Sequence, residues 1–175
     1  MTQPPETKNI GLRGITVADT KISKVDGEAG LLYYRGYSIL DLAENSTFEE
    51  TAYLLLQGEL PSPPQLDWFS SELAANRDIP ELIIHILREL PRSSNIMNVL
   101  QAVIPLLAEY DPRKDVDSRD ANLHKAIQLI AKLPAIVAYW HRISQNRHIV
   151  EPRRDISHAA NFLYMLHDSV PDDEA

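Results

Sequence analysis

The sequence predicts a mainly α-helical fold that is preceded by a small β region. Five of the six glycines lie between residues 11 and 36, where they separate short runs rich in β-branched and aromatic residues. Beyond Gly36, apolar residues recur at helical spacing, and capping residues and prolines bound each stretch. The 175 residues are enough for one domain with a sizeable core, or for a large piece of a bigger one.

The chain divides into three predicted segments. Residues 1–9 are polar and are expected to be disordered. Residues 10–37 form the small β region, in which the Asp-Gly pair at 26–27 is expected to make a tight turn between two strands. Residues 38–175 form the helical part of a large domain. We expect this part to be incomplete, because the acidic sequence after Val170 is typical of a loop that enters another helix.

Periodicity and capping residues predict a series of helices after the β region. The predicted helices span residues 38–45, 47–58, 62–76, 80–90, 94–110, 121–146 and 156–167. The longest is apolar over more than one stripe, so it should be buried on more than one side. Pro134 should kink this helix, because proline removes one backbone hydrogen bond and clashes with the preceding turn.

Composition and charge exclude several classes of protein. The formal net charge of -8 makes nucleic acid and anionic membrane surfaces poor partners, and no apolar run is long enough to span a bilayer. Cysteine is absent, which excludes disulfides, thiolate metal sites and a cysteine nucleophile. The amino terminus lacks the apolar region of a secretory signal. The sequence therefore predicts a cytoplasmic protein that binds neither nucleic acid nor membrane.

No motif predicts a catalytic residue or a metal site. The six histidines form no pair at metal-ligand spacing, and serine-hydrolase elbows and glycine-rich phosphate loops are missing. His158 and His167 share a predicted helix, but their nine-residue spacing places them on opposite faces. One basic group could meet a phosphate, although its acidic neighbours favour a solvated helix end. This group comprises Arg142, Arg147, His148, Arg153 and Arg154.

Five segments, taken in order along the chain, resemble the citrate synthase family. They are the Gly-Leu-Arg-Gly motif at 11–14, the stretch 26–39 with its Tyr-Arg-Gly-Tyr motif, the stretch 48–61 that ends in Gly-Glu-Leu-Pro, the Ile-Ala-Lys-Leu-Pro motif at 130–134 and the Asn-Phe-Leu-Tyr-Met-Leu motif at 161–166. Each motif alone is a weak signal, but five in the family's order are specific. The resemblance covers nearly all of the chain after residue 9.

The resemblance implies a citrate-synthase-like helical large domain and the family's reaction, in which acetyl-CoA condenses with oxaloacetate to give citrate and CoA. In the family a carboxylate takes a proton from the acetyl methyl group, while histidines and arginines stabilise the oxygens and carboxylates of the reactants. The family motifs that hold those groups, H-x-(D/E)-H and G-P-L-H-G-G, do not occur in these 175 residues. We therefore assign no catalytic residue and expect the chain to be inactive by itself.

Arg13 is the one ligand-binding residue that the resemblance implies. Its place in the Leu-Arg-Gly motif suggests a contact with a CoA phosphate. The alternative is a strand-end arginine that pairs with an acidic neighbour. The resemblance implies acetyl-CoA as a substrate and no covalently bound cofactor.

The resemblance also implies a homodimer or a higher homo-oligomer. In the family, two helices matching residues 94–110 and 121–146 pair with their copies across a two-fold axis, and the wide apolar faces predicted here agree with that role. An aspartate placed at Val103 or Ile130 is therefore expected to split the dimer.

Three other interpretations stay open at this point. The chain could belong to a 2-methylcitrate synthase, which uses propionyl-CoA. It could also be a non-catalytic helical oligomerisation module on the same scaffold, or an unrelated helical adaptor.

Overall fold

The computed structural model describes residues 18–171. Three short antiparallel strands come first in this part of the chain. They are β1 (Ser23–Asp26), β2 (Leu31–Tyr34) and β3 (Tyr37–Ser38), paired in sequence order. The predicted turn at 26–27 joins β1 to β2 and extends to Gly30, whose φ of 67° favours glycine. The predicted disordered segment 1–9 lies outside the described residues, so the division into three segments stays a prediction.

Seven α-helices follow the strands within residues 18–171. They are α1 (Ile39–Asn45), α2 (Phe48–Gln57), α3 (Pro63–Ala75), α4 (Glu81–Glu89), α5 (Ile96–Leu107), α6 (Arg119–Ser144) and α7 (His158–His167). A single 3-10 turn, Ala108–Tyr110, continues α5. The mainly helical fold with a small β region is therefore as predicted.

Most helix boundaries are set by local capping. Thr47 and Glu50 form a reciprocal capping box at the start of α2, and Gly58 ends that helix in the left-handed conformation. Asn95 caps α5 by accepting a hydrogen bond from the Met97 backbone N–H at 2.8 Å. These predicted stops and starts are confirmed because they depend on neighbours within a few residues.

The starts of α6 and α7 differ from the predicted ones, and α5 and α6 end at Leu107 and Ser144 rather than at 110 and 146. Helix α6 begins at Arg119 rather than at 121, because the Ser118 hydroxyl accepts the Ala121 N–H and admits two charged residues to the first turn. Helix α7 begins at His158 rather than at 156, because Ser157 is its cap. Helix α6 is continuous across Pro134, and its kink stays a prediction.

Two apolar clusters meet on α6. The larger cluster joins α4, α5, α6 and α7, and Ile136 lies fully buried within it. The smaller cluster joins α2, α3 and α6 around Phe69, Leu73 and Ile127. The second half of α6 is buried on more than one side, as its wide apolar pattern predicts, because the near-consecutive residues Ala135, Ile136, Ala138, Tyr139 and Trp140 are all buried.

Candidate functional site

The amino terminus of α7 carries a cluster of buried ionisable side chains. Three of them, Glu49, Arg77 and His158, are 7%, 2% and 5% exposed. They come from the first turn of α2, the loop between α3 and α4, and the first residue of α7. Burial of charge is costly unless partners compensate it, so this cluster is the strongest candidate for a functional or structural polar centre in the described residues.

Glu49 links α2 to α7. Its Oε1 accepts a hydrogen bond from the His158 backbone N–H at 2.7 Å. That N–H belongs to the first turn of α7, which has no acceptor within its own helix, and the positive end of the helix dipole favours the carboxylate. The His158 ring stacks on Phe48, the neighbour of Glu49, with ring centroids 4.7 Å apart and planes 10° from parallel.

Arg77 holds the segment that leads into α7. Its guanidinium donates to the carbonyl oxygens of Arg153 and Ile156, the latter at 3.1 Å from both terminal nitrogens. Burial lowers the pKa of Arg77 from its ordinary value, while the negative charges of Glu49 and Asp155 oppose that shift. The arginine therefore fixes a loop against the end of α3.

The His158 ring favours its neutral form. Burial lowers its pKa, the positive Arg77 lowers it further, and Glu49 opposes both. Its Nδ1 has no hydrogen-bond partner among the described residues, and the ring is not within reach of a serine or threonine hydroxyl. The arrangement therefore does not form a nucleophile–base pair.

A groove of about 390 Å³, with both polar and apolar walls, lies beside this cluster. Its walls include the capping residues of two helices, Thr47 and Ser157, together with Ser70 and Ser71 of α3. His158 itself does not line the groove. The side chains that do are of mixed charge, with Glu49 and Asp155 against Arg77 and Arg154, so the groove has no strong preference for an anion or a cation.

Four of the five members of the basic group noted in the sequence, Arg142, His148, Arg153 and Arg154, are paired with groups of the same chain. Arg142 is buried and donates to the carbonyl oxygens of His148 and Leu166 and to the Asp168 carboxylate. Arg153 pairs with Asp155, and Arg154 pairs with Asp78. The arginines therefore stabilise the α6–α7 connection, and one member of the predicted solvated helix end is in fact in the core.

A second candidate is the apolar surface of α5 and α6. Val103 is 0% exposed within the core of this chain, so our expectation that an aspartate there would act on a dimer contact was wrong: it would act on the fold itself. The outward apolar residues beside the partner helix are instead Met97 on α5 and Leu129 on α6, which are 60% and 38% exposed, whereas Leu106 lies nine residues after Met97 and therefore on the opposite face of α5. Ile130 is half-buried against the smaller cluster.

A groove of about 270 Å³ runs between the end of α5 and the middle of α6 on this outward side. Its floor is apolar and includes Ile104, Pro105 and Leu129. Lys132 lines it too, and burial lowers the pKa of this lysine while its Nζ donates to the Asn76 carbonyl at 2.6 Å. This groove is therefore a largely apolar surface between the end of α5 and the middle of α6.

The remaining predicted features are placed as follows. Arg13, the predicted CoA contact, lies outside the described residues. Residues 18–171 contain no group of three or more histidine or acidic side chains that could hold a metal ion. Within the same residues, no helix has the length and apolar character needed to cross a membrane.

A family model described as citrate synthase, C-terminal domain, matches residues 11–175. This chain belongs to the citrate synthase family. The citrate synthase of Haloferax volcanii is 41% identical over 167 residues, a match that covers 93% of this chain and 44% of that protein. The citrate synthase of Acidithiobacillus ferridurans is 40% identical over 167 residues, covering 93% of this chain and 43% of its own length. The chain thus spans less than half the length of these curated relatives.

Solved citrate synthases share the fold. The crystal structure from Pyrobaculum aerophilum matches with a TM-score of 0.88 at 35% identity, covering 93% of this chain and 43% of that one. A ternary complex of carboxymethyl coenzyme A and oxaloacetate with the Thermoplasma acidophilum citrate synthase matches with a TM-score of 0.84 at 26% identity, covering 92% of this chain and 42% of that one. The citrate-synthase-like fold that the five motifs implied is confirmed.

Sequence reasoning missed the roles of Glu49 and Arg77 in this citrate synthase scaffold. Glu49 was recognised only as a first-turn acid of its own helix, and Arg77 carried no signal at all. Their partners are remote in sequence: 109 residues separate Glu49 from His158, and 79 separate Arg77 from Ile156. A single sequence holds no local pattern that could pair them.

Proposed function

We propose that this chain is the amino-terminal part of a citrate synthase, which condenses acetyl-CoA with oxaloacetate to give citrate and CoA. The observation that carries the proposal is the match to proteins named citrate synthase over 93% of the chain at 41% and 40% identity. The ternary complex of the Thermoplasma acidophilum enzyme with a coenzyme A derivative and oxaloacetate supports acetyl-CoA and oxaloacetate as ligands of the whole protein.

Our placement at the amino-terminal side differs from the label of the matching family model, which names a C-terminal domain. The placement rests on motif order, because the five matching segments precede the family's catalytic segments, H-x-(D/E)-H and G-P-L-H-G-G. Arg13 remains our proposed contact for a CoA phosphate, and no covalently bound cofactor is expected. A cytoplasmic setting, which the cysteine-free composition suits, is part of the same proposal.

A second candidate activity is that of 2-methylcitrate synthase. One such relative, from Mycobacterium tuberculosis, is 38% identical over 168 residues, which is close to the identity of the citrate synthases. The two activities differ in the acyl group, which is acetyl or propionyl. Because the identities to both kinds of enzyme are so similar, they favour neither activity.

We further propose that the chain assembles as a homodimer or a higher homo-oligomer through the outer surface of α5 and α6. Met97 and Leu129 support this proposal because they leave apolar area on helices whose other sides are already buried. A stable interface needs roughly 800 Å² from each partner. The non-catalytic oligomerisation module, our other candidate class, would use the same surface without chemistry.

A chimera tests the activity. Residues 11–175 replace the matching segment of the Acidithiobacillus ferridurans citrate synthase, and release of the CoA thiol is measured with acetyl-CoA or propionyl-CoA and oxaloacetate. We expect citrate formation by the chimera and none by the present chain alone. A shift towards propionyl-CoA relative to the parent enzyme would favour the 2-methylcitrate reaction.

Two results would contradict the proposal. A folded, oligomeric chimera without turnover would point to the non-catalytic module. Turnover by the present chain alone that is lost on His158→Ala would place a catalytic residue within it, against our assignment.

A further inference from the structure

We propose that Glu49, Arg77 and His158 form a proton-sensitive latch, which fastens the amino terminus of α7 to α2 while the His158 ring is neutral and releases it when the ring is protonated. This device goes beyond the proposed activity and does not depend on it. It rests on the placement of the three buried side chains at the junction of α2, α7 and the loop that carries Arg77.

The closed latch has two parts. The Glu49 carboxylate accepts the His158 backbone N–H at 2.7 Å, and the ring of the same residue stacks on Phe48. Arg77 fixes the approach to α7 through the carbonyl oxygens of Arg153 and Ile156. The backbone and the ring of His158 therefore contact the same turn of α2. A displacement of the ring should for this reason also weaken the hydrogen bond between Glu49 and the first turn of α7.

Protonation of His158 would place a positive charge where the surroundings oppose it. The ring is 5% exposed, it sits at the positive end of the α7 dipole, and Arg77 acts on it as a like charge. Glu49 is the opposing negative charge, but its Oε1 is already bound to the backbone. Burial exceeds this attraction, because it is the leading cause of the lowered His158 pKa.

Besides Arg77 and Glu49, no charged group on the elements packed against α7 acts on the ring. On α6, the element most closely packed on α7, Arg142 is bound to the Leu166 carbonyl and Asp168 at the far end of α7, and Lys132 to the Asn76 carbonyl. Asp155, in the segment before α7, acts on Arg77 rather than on His158. On α3, which also contacts α7, Asp67 is exposed and Glu72 lines a different groove beside Trp68. The neutral ring is therefore the state that the surrounding charges select.

The sign of the pH effect follows from linkage. A histidine whose pKa is lowered by folding contributes stability that is present above its ordinary pKa of about 6.5 and is lost as the pH falls below it. Opening of the latch should increase by up to roughly tenfold for each unit by which folding lowers the pKa. The effect should concentrate at the start of α7, where Glu49 and Phe48 make their contacts.

Amide hydrogen exchange on the full 175-residue chain tests the latch. Protection factors of the His158 and Asn161 amides are compared with those of α3 amides between pH 7.5 and 5.5. We expect the α7 amides to lose protection relative to α3 in the wild type. His158→Phe, which keeps a ring against Phe48 but cannot titrate, should abolish the loss. His167→Phe, an exposed change on the same helix, should leave it intact.

Several outcomes would overturn the latch. They are an unchanged relative protection in the wild type, or the same loss in His158→Phe. If His158→Phe does not fold, the ring signals of the wild-type histidines decide. A His158 ring that titrates clearly below its ordinary range supports the latch, and one that titrates at or above about 6.5 refutes it. Failure here would leave the citrate synthase proposal untouched, since the chimera assay measures a different property.

Discussion

The inner and outer sides of α5 and α6 carry similar apolar residues with different partners. On the inner side, Val103 of α5 and Ile136 of α6 are fully buried against other helices of the same chain. On the outer side, Met97 and Leu129 keep 60% and 38% of their surface exposed. Helical periodicity in the sequence identifies the apolar residues of both sides. Only the packing of the whole chain shows which of them are buried in its core and which remain exposed.

The inner and outer residues differ in how much they contribute to the free energy of unfolding. Burying a large aliphatic side chain contributes roughly 1.5 to 3 kcal/mol, so the inner residues stabilise the folded chain. The outer residues contribute little of this until a second surface covers them. The two sides should therefore respond to mutation in opposite ways: inner changes should act on unfolding, and outer changes on association.

The largest expected effect is that of Val103→Asp. An unpaired carboxylate would enter a site that is 0% exposed, which should cost more than about 4 kcal/mol and abolish cooperative folding. Circular dichroism during thermal and urea unfolding measures this. A cooperative transition close to that of the wild type would show that Val103 is not in the core.

A smaller loss is expected for Tyr139→Phe, a polar change on the inner side. The fully buried Tyr139 hydroxyl donates to Glu151 Oε2 at 2.7 Å, and burial together with this carboxylate raises the pKa of the phenol. Removing the hydroxyl should cost about 1 to 2 kcal/mol, because the carboxylate loses its donor. The matched control is Tyr110→Phe at an exposed position, which should leave urea unfolding unchanged. Equal effects of the two changes would contradict the assignment.

The smallest effect on unfolding is expected for Leu129→Asp. The side chain is partly exposed on α6, so the free energy of unfolding of the separated chain should change by about 0.5 kcal/mol or less. Urea unfolding at the lowest usable protein concentration measures this. A loss comparable to that of Val103→Asp would mean that Leu129 belongs to the core and that the two sides do not differ as described.

Local chemistry explains which parts of this molecule could be predicted from sequence. The caps at Thr47 and Asn95 and the stop at Gly58 depend on residues two to four positions away, and the helix bounds predicted at 47, 58 and 94 agree with the structure to within two residues. Val103 is buried by other helices that folding brings against α5. Helical periodicity does not identify those helices, so the sequence alone placed Val103 at a dimer contact instead of in the core. The Glu49–His158 contact spans 109 residues and had no local signal.

The most direct test of the account is the association state of the wild-type chain and of Leu129→Asp, with Leu82→Asp as the control. Leu82 is exposed on α4, away from the α5–α6 groove. Light scattering over a range of concentrations should show a wild-type dimer or larger assembly, an equally associated Leu82→Asp and a monomeric Leu129→Asp, because the charge would be buried unpaired in the interface. A wild-type chain that stays monomeric at high concentration, or a Leu129→Asp chain that associates as the wild type does, would contradict the account.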